Sequence, residues 1–529
     1  MEGSSPGDRL FRAALVAVVV ASAALTLALV FRPAALVVHP PLTEDGYYPM
    51  TIARNIARGR GITVDGLVPT NGFQPLFTFL TVPLFAAAGE DRLLGARLVL
   101  AVHWAFFLAT AFVLGRMLRH AFEPGDRQAR ALAPWAAAAV YLATLPAMGH
   151  HFNGLETGCL LFLYAVVLRR VQTDPLPSAR AAATLGALLG LVVLARIDAV
   201  FFVILLTAFL LFEPGAAPWG ERLRRAAALA AAAFLVSAPW WLYNFLGFGS
   251  LMPSSGLAEQ RWALEPARLG NMLAALLVNL APLYLFAWDE WLIGHLVRAA
   301  ALALLLAILW AKRGEVRRWA EEAGRGGRLF AVTACLVASL LLLFAWYAAS
   351  SWAVHFYSRY LAPLLLLVCL LLARALLELG RHRPRLAACL ALAWGLTVPI
   401  ECVRAHFVSI GGRNIFVIRQ VSMVEARVPS GAWVAALQTG TLGYFRDRVL
   451  NLDGKVNPEA LRRRDDIWRY LDERGVGWLC DWPEIFRPFF GSRPEANGWE
   501  LVEHSGKFAL FRRRRDAPLA SPALAAPER

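Results

Sequence analysis

Apolar residues gather into long runs at about 10–31, 92–115, 131–148, 156–169, 181–196, 199–212, 226–246, 291–311, 329–350, 360–380 and 385–403, with short polar stretches between them. Runs of this kind predict helices that cross a bilayer, because about 20 apolar residues rising 1.5 Å each match the hydrocarbon core. Two further runs, about 73–88 and 270–287, are ambiguous as spans. Past about residue 404 the pattern changes. Short apolar strands at Trp433–Leu437, Val449–Leu452 and Trp478–Cys480 alternate with helical stretches around 457–474 and 483–490. Two more strands, near 499–504 and 507–512, are spaced as a hairpin around Ser505-Gly506. The expected architecture is a polytopic α-helical membrane domain over 1–403, an α/β domain over 404–512 and a disordered tail over 513–529.

Basic residues settle the ambiguous runs and the orientation. With both kept off the list of spans, Arg116, Arg119, Arg127 and Arg130 fall on one side of the membrane. Arg169, Arg170 and Arg180 join them, as do Arg222, Arg224 and Arg225, the segment from Lys312 to Arg328, and Arg381, Arg383 and Arg385. The other side is nearly free of basic residues between spans. The positive-inside rule places the arginine-rich side in the cytoplasm, in agreement with Arg9 and Arg12 ahead of the first span. If 73–88 crossed, the central arginine loops would be pushed outside. Pro75 and Pro83 make it a plausible juxtamembrane or re-entrant helix. The expected topology has about eleven spans, a cytoplasmic N-terminus, an extracytoplasmic first loop over about 32–91 and an extracytoplasmic C-terminal domain.

Composition supports this reading. Hydrophobic residues make up 58% of the 529, and mean hydropathy is +0.51, more apolar surface than a soluble fold of this length hides. The formal charge of +15 would point to nucleic acid in a soluble protein. Here it lies in short loops between spans, so no nucleic-acid partner is expected. Lys312, Lys455 and Lys507 are the only lysines, a bias that fits a GC-rich genome. The six cysteines have no metal-ligand spacing, and a Cys402–Cys480 bridge is not expected. The run at 10–31 is long for a signal peptide and lacks a clear cleavage site, so it reads as an uncleaved first span.

The polar residues of the arginine-poor side are the candidates for chemistry, since ionisable groups at a membrane interface are costly unless paired or solvated. Adjacent Glu44 and Asp45 repel one another, which raises one carboxyl pKa. Such a pair can act as general base, hold a divalent cation through oxygen, or cap the helix starting near Tyr47. Arg54, Arg196 and Arg359 suit a lipid phosphate through their planar forks, or else snorkel or pair, as Arg196 does if it meets Asp198. Asn71, His151, Glu156 and Tyr360 lie in the same outer segments. A metal site built on His150, His151 and His355 is weakly supported, because adjacent histidines on a loop carry no ligand spacing.

Three motifs carry a resemblance. Glu44-Asp45-Gly46-Tyr47-Tyr48, with Ala53-Arg54-Asn55-Ile56-Ala57 and Thr70-Asn71-Gly72-Phe73-Gln74-Pro75-Leu76, resembles the first loop of bacterial GT-C-type glycosyltransferases. That group holds the protein O-mannosyltransferases, aminoarabinose transferases and mycobacterial arabinofuranosyltransferases. Asn153-Gly154-Leu155-Glu156-Thr157 is similar to their second-loop motif, and Ser358-Arg359-Tyr360-Leu361-Ala362-Pro363-Leu364 to their late Arg-Tyr-Leu-x-Pro signature. The resemblance implies inverting sugar transfer, hexosyl or pentosyl, from a polyprenyl-phosphate donor to a glycan, lipid or protein acceptor of the cell envelope. The expected place is the outer face of a bacterial inner membrane. It implies Asp45, with Glu44 beside it, as the residue that activates the acceptor or binds metal, and Glu156 as the acid that orients acceptor or base. Arg359, and less directly Arg196, would face the donor phosphate. The group usually reads Asp-Asp where this chain has Glu44-Asp45, which leaves use of a divalent cation open. Asn451-Leu452-Asp453-Gly454-Lys455-Val456-Asn457 reads as a strand-to-helix turn with an Asn or Asp cap. The rival classes are a lipid-sugar transporter or flippase, for which no repeat is visible, and a non-catalytic membrane scaffold.

Overall fold

The computed structural model describes residues 5–33, 42–174, 176, 178–213, 217–263, 265–282, 292–311, 313–314, 328–351, 357–410 and 416–514. His355, the arginines of 315–327 and the tail from 515 onward lie outside these residues.

Each apolar run has become a helix, and the chain is a multi-pass membrane protein. Pro6–Val30, Arg92–His120, Trp219–Phe248, Leu329–Ser350 and Pro384–Val403 are long and apolar enough to cross a membrane. Arg127–Leu142 and Leu145–Phe152 make a sixth candidate, bent by 69° at their junction. Pro146 causes the bend, since its ring cannot continue a helix begun upstream, and the Thr144 hydroxyl donates to the Val140 carbonyl at 2.7 Å. Of the other runs expected to cross, Leu292–Ala311 forms a helix of 20 residues and Leu364–His382 one of 19, while Ala179–Ala195 has 17 and Val200–Phe212 has 13. The two ambiguous runs form helices short of a full span within the described residues, which leave out 283–287 of the second. Pro75–Ala88 has 14 residues, and Pro266–Leu280 has 15.

Small residues set the helix packing, as they do where lipid removes the hydrophobic drive between helices. Ala133, Ala136 and Ala137 are buried where Arg127–Leu142 meets its neighbours. Ala179–Ala195 lies along Trp219–Phe248 so closely that a Cβ on Gly186 would sit 2.2 Å from the Leu229 carbonyl oxygen. The arginine-bearing turns around 126–130 and 381–385 meet. Arg381 pairs with Asp126, and Gly7 packs on Pro384. The first loop and the C-terminal domain meet at a different place, described below.

The C-terminal domain holds a five-stranded sheet in the order β2-β1-β3-β5-β4. Here β1 is Val434–Ala436, β2 Val449–Asn451, β3 Trp478–Asp481, β4 Trp499–Ser505 and β5 Phe508–Arg513. β1 pairs in parallel with β2 and β3, while β5 pairs antiparallel with β3 and β4. All five strands fall where the sequence pattern expects them. One face is covered by Ile467–Glu473 and Pro483–Phe490, around Trp468, Tyr470, Leu471 and Phe486. The other is covered by Phe416–Arg427 and Gly440–Phe445, two helices the sequence reading did not anticipate. The boundary expected near 404 falls inside the helix Thr397–Ile410. All six cysteines are free thiols.

Candidate active site

Glu44 and Asp45 occupy a single 3₁₀ turn, Glu44–Gly46, just ahead of the helix Tyr47–Ala57. Successive residues of such a turn point about 120° apart, so the two carboxylates diverge. Glu44 reaches the C-terminal domain, where both its oxygens accept from the Thr441 amide at 3.1 Å and one also accepts from the Thr441 hydroxyl. Burial pushes the Glu44 carboxyl up to about 7, against the opposing pull of those Thr441 donors. Asp45 turns the other way, into a cavity of about 400 Å³. The turn is steadied from below, because Thr43 donates its amide (3.2 Å) and its hydroxyl (3.0 Å) to the Asn153 carbonyl.

The second loop supplies the next carboxylate. The Asn153 side chain accepts from the Leu155 amide at 2.9 Å, a local turn that delivers Glu156 to the head of the helix Thr157–Thr173. Glu156 accepts from the Arg196 guanidinium at 2.7 Å. Arg196 also meets Asp198 through Nε at 3.1 Å and through a second contact to the other carboxylate oxygen. The Arg196–Asp198 pairing foreseen as the structural alternative is thus present, and the guanidinium holds two buried acids at once. Its face lies 4.4 Å from the Tyr360 ring centroid, Tyr360 stacks on Tyr347 at 4.6 Å, and Tyr347 donates to Asp198 at 3.3 Å. Arg359 lies beside the same Tyr360 ring, 5.3 Å from its centroid.

The cavity gathers Asp45, Glu156, Arg196, Arg359 and Tyr360 from the sequence candidates. It adds Asp198, Glu259 and Lys455. Lys455 comes from the C-terminal domain, on the loop leaving the carboxyl end of β2, the end where parallel sheets usually place ligand-binding loops. Its ammonium lies 2.7 Å from Glu259. Its own carbonyl accepts from the Ser254 hydroxyl at 2.8 Å. The loop rests on Gly72 so tightly that a Cβ there would lie 1.7 Å from the Lys455 carbonyl oxygen. Although burial opposes its charge, the carboxylates of Asp45, Asp453 and Glu259 hold the Lys455 pKa above its usual value. Much of the remaining wall is apolar, with Phe77, Phe201, Leu343 and Trp346 among its residues.

Four candidates lie elsewhere. Glu44 is taken up by Thr441, as described. Arg54 donates to the carbonyls of Tyr444 (2.5 Å) and Gly443 (3.3 Å), closing the end of the helix Gly440–Phe445. Asn71 accepts from the Ser254 amide at 3.0 Å and so braces the segment under Lys455. His151 is buried in the bundle, within 2.9 Å of the Tyr141 hydroxyl. Among the described residues no group of three His, Cys, Asp or Glu side chains is placed to hold a metal ion. The turn expected at Asn451–Asn457 does form, with Asn457 capping Pro458–Arg462 and Asp453 accepting from the Lys455 amide at 2.8 Å. Lys455 itself was not singled out. Its one signal is rarity, as one of three lysines among 53 basic residues.

The arrangement can be compared with solved structures. ArnT from Cupriavidus metallidurans bound to undecaprenyl phosphate superposes with a TM-score of 0.55 over 95% of this chain and 99% of that one, at 13% identity. The apo state of the same protein gives 0.54 over 93% and 97%, at 13% identity. The fold is that of a GT-C-type glycosyltransferase. The oligosaccharyltransferase of Archaeoglobus fulgidus, tethered to an acceptor peptide, gives 0.45 over 96% of this chain and 74% of that one, at 11% identity. A family model described as a domain of unknown function (DUF8728) matches residues 413–521, the part that carries Lys455. No curated protein matches the sequence. The likeness to ArnT thus extends over 95% of the chain, and the C-terminal domain contributes directly to the polar cavity.

Proposed function

We propose that this protein transfers a sugar from a polyprenyl-phosphate donor to an acceptor of the cell envelope, on the outer face of a bacterial inner membrane. One observation carries the reading. Asp45 and the cations Arg359 and Lys455 line a single cavity whose remaining wall is largely apolar, which suits a ligand with an ionic head and a greasy tail. Charge clustering in the loops supports the orientation, and the fold shared with ArnT, solved with undecaprenyl phosphate, supports the donor class.

In this reading Asp45 takes the proton of the acceptor hydroxyl as its oxygen attacks the anomeric carbon. The bond from that carbon to the donor phosphate oxygen breaks, and the electron pair leaves with the polyprenyl phosphate. The sugar inverts, and the leaving phosphate gains one negative charge. Arg359 and Lys455 meet that developing charge in a partly dry site, where fixed cations are most effective. Arg196, held by Glu156 and Asp198, positions Tyr360 and the cavity wall instead of the phosphate. A resident divalent cation does not fit this donor set. Such ions need several oxygen ligands, and Glu44, the neighbour that would supply the second carboxylate, is committed to Thr441. No step is routed through a metal.

The test is Asp45→Asn in purified, folded protein supplied with polyprenyl-phosphate sugars and envelope acceptors. Transfer is expected to fall by about 10²-fold or more, with the melting temperature unchanged. Undiminished turnover removes Asp45 as the base.

A further inference from the structure

A second cavity, of about 450 Å³, lies between the first loop and the C-terminal domain and shares no lining residue with the first. Its walls carry Arg54, Arg60, Arg446 and Arg448 against only Asp65 and Asp447. Four guanidinium groups thus face two carboxylates. One oxygen of Asp447 serves Arg92 at 3.2 Å, Arg54 at 3.6 Å and Arg60 at 3.7 Å. Asp65 accepts from the amides of Leu67 (2.8 Å) and Val68 (2.9 Å). Arg446 and Arg448 donate to the carbonyls of Pro429 and Gly431, which satisfy hydrogen bonds without cancelling charge. Burial, with Arg92 adding repulsion, pushes the Arg54 pKa down to about 10.

Three buried polar atoms of this lining have no hydrogen-bond partner: Nε of Arg54, Nε of Arg446 and Oδ1 of Asn55. Arg54 and Asn55 are each only 2% exposed. Arg448 also holds a φ of 61°, a backbone geometry glycine would adopt more cheaply, so a cationic side chain is kept there at some cost. Trp433 completes the wall with an indole, a flat surface against which a sugar ring can stack.

We propose that this cavity binds a saccharide bearing an anionic group, phosphate or carboxylate. The exposed guanidinium groups of Arg60 and Arg448 take the anion, with the buried Arg54 and Arg446 adding positive charge behind them, and Trp433 takes the ring. The helix Tyr47–Ala57 presents Tyr48 and Pro49 to the transfer cavity and Arg54 and Asn55 to this one. A single rigid rod therefore borders both. The inference does not depend on sugar transfer, because binding is read without turnover.

The experiment is calorimetric titration of the full-length protein in detergent micelles with glucose 6-phosphate, glucuronate, inorganic phosphate and glucose. At least one anionic sugar is expected to saturate one site, at least about tenfold tighter than glucose and than inorganic phosphate, and to weaken with salt. Which of the two binds distinguishes phosphate from carboxylate. Arg60→Gln/Arg448→Gln is expected to weaken that binding about tenfold or more with the melting temperature unchanged, and Trp433→Phe, which keeps an aromatic ring, to weaken it less. Asp45→Asn is expected to leave it intact, which separates this site from the transfer cavity. No saturable binding of either sugar, equal binding of inorganic phosphate, indifference to Arg60→Gln/Arg448→Gln, or loss with Asp45→Asn would each overturn the proposal.

Discussion

Arg196→Met probes the polar core of the transfer cavity most directly. The change removes the one cation that two acids share, while methionine keeps much of the stem volume. Glu156 and Asp198 have side chains only 6% and 11% exposed, so little water reaches the stranded carboxylates. Three guanidinium contacts are lost, at 2.7 Å to Glu156, at 3.1 Å to Asp198 and at the second Asp198 oxygen. Removing one partner of a buried pair costs about 3–5 kcal/mol, because the charge left behind is uncompensated. The wild-type network contributes less than that figure, since burying it also costs solvation. Tryptophan fluorescence of the purified protein in detergent should therefore show melting lowered by about 3–5 °C. Removing the stranded charges as well, in Arg196→Met/Glu156→Gln/Asp198→Asn, should restore most of the loss. The reasoning fails if Arg196→Met melts like the wild type, or if the triple variant is no better than the single one.

Other consequences can be measured. Gly72→Ala forces the 453–456 loop or the first loop to move, and an ångström-scale shift of Lys455 should lower transfer about 10²-fold; wild-type turnover would mean the loop yields without disturbing the cavity. Gly186→Val drives a side chain into the Leu229 carbonyl and should cost about 1–3 kcal/mol in denaturation of the bundle; an unchanged melt would show that the helix pair can separate freely. Glu44 has a folded pKa near 7, above its ordinary 4.5, so its stabilising share is complete below about pH 4.5 and is lost as pH rises through 7. Melting of the wild type should thus fall from pH 5 to pH 8 more steeply than that of Glu44→Gln, and parallel curves would remove Glu44 as the cause. Transfer should survive dialysis against a chelator, whereas loss of activity restored by magnesium or manganese would reinstate a metal.

The helices were legible because apolar runs report burial in lipid directly, and the five strands because turn residues punctuate them. Helix Phe416–Arg427 was not, since its apolar residues come in short clusters broken by Arg419-Gln420, Ser422 and Glu425. At the site, local pattern and spatial outcome part company. Glu44 and Asp45 look like a pair in one dimension, yet the turn geometry that makes them neighbours also sends them to different domains. Arg196 carried two readings, ligand or ion pair, and only the positions of Glu156 and Asp198 separate them. Lys455 sits in a stretch whose Asn and Asp side chains explain themselves as turn and cap. Nothing in that stretch signals that Gly72 and Ser254, distant in the chain, clamp it over a cavity.

The clamp over Gly72 also orders events in time. Asp45 and Lys455 are roughly four hundred residues apart, so at bacterial synthesis rates of roughly 5–20 residues per second the first enters the membrane some 20–80 s before the second is made. During that interval the nascent chain carries Asp45 without Lys455. Under the proposed function, an unfinished or truncated product would meet donor lipid with an incomplete charge set, and so would not spend lipid-linked sugar on water.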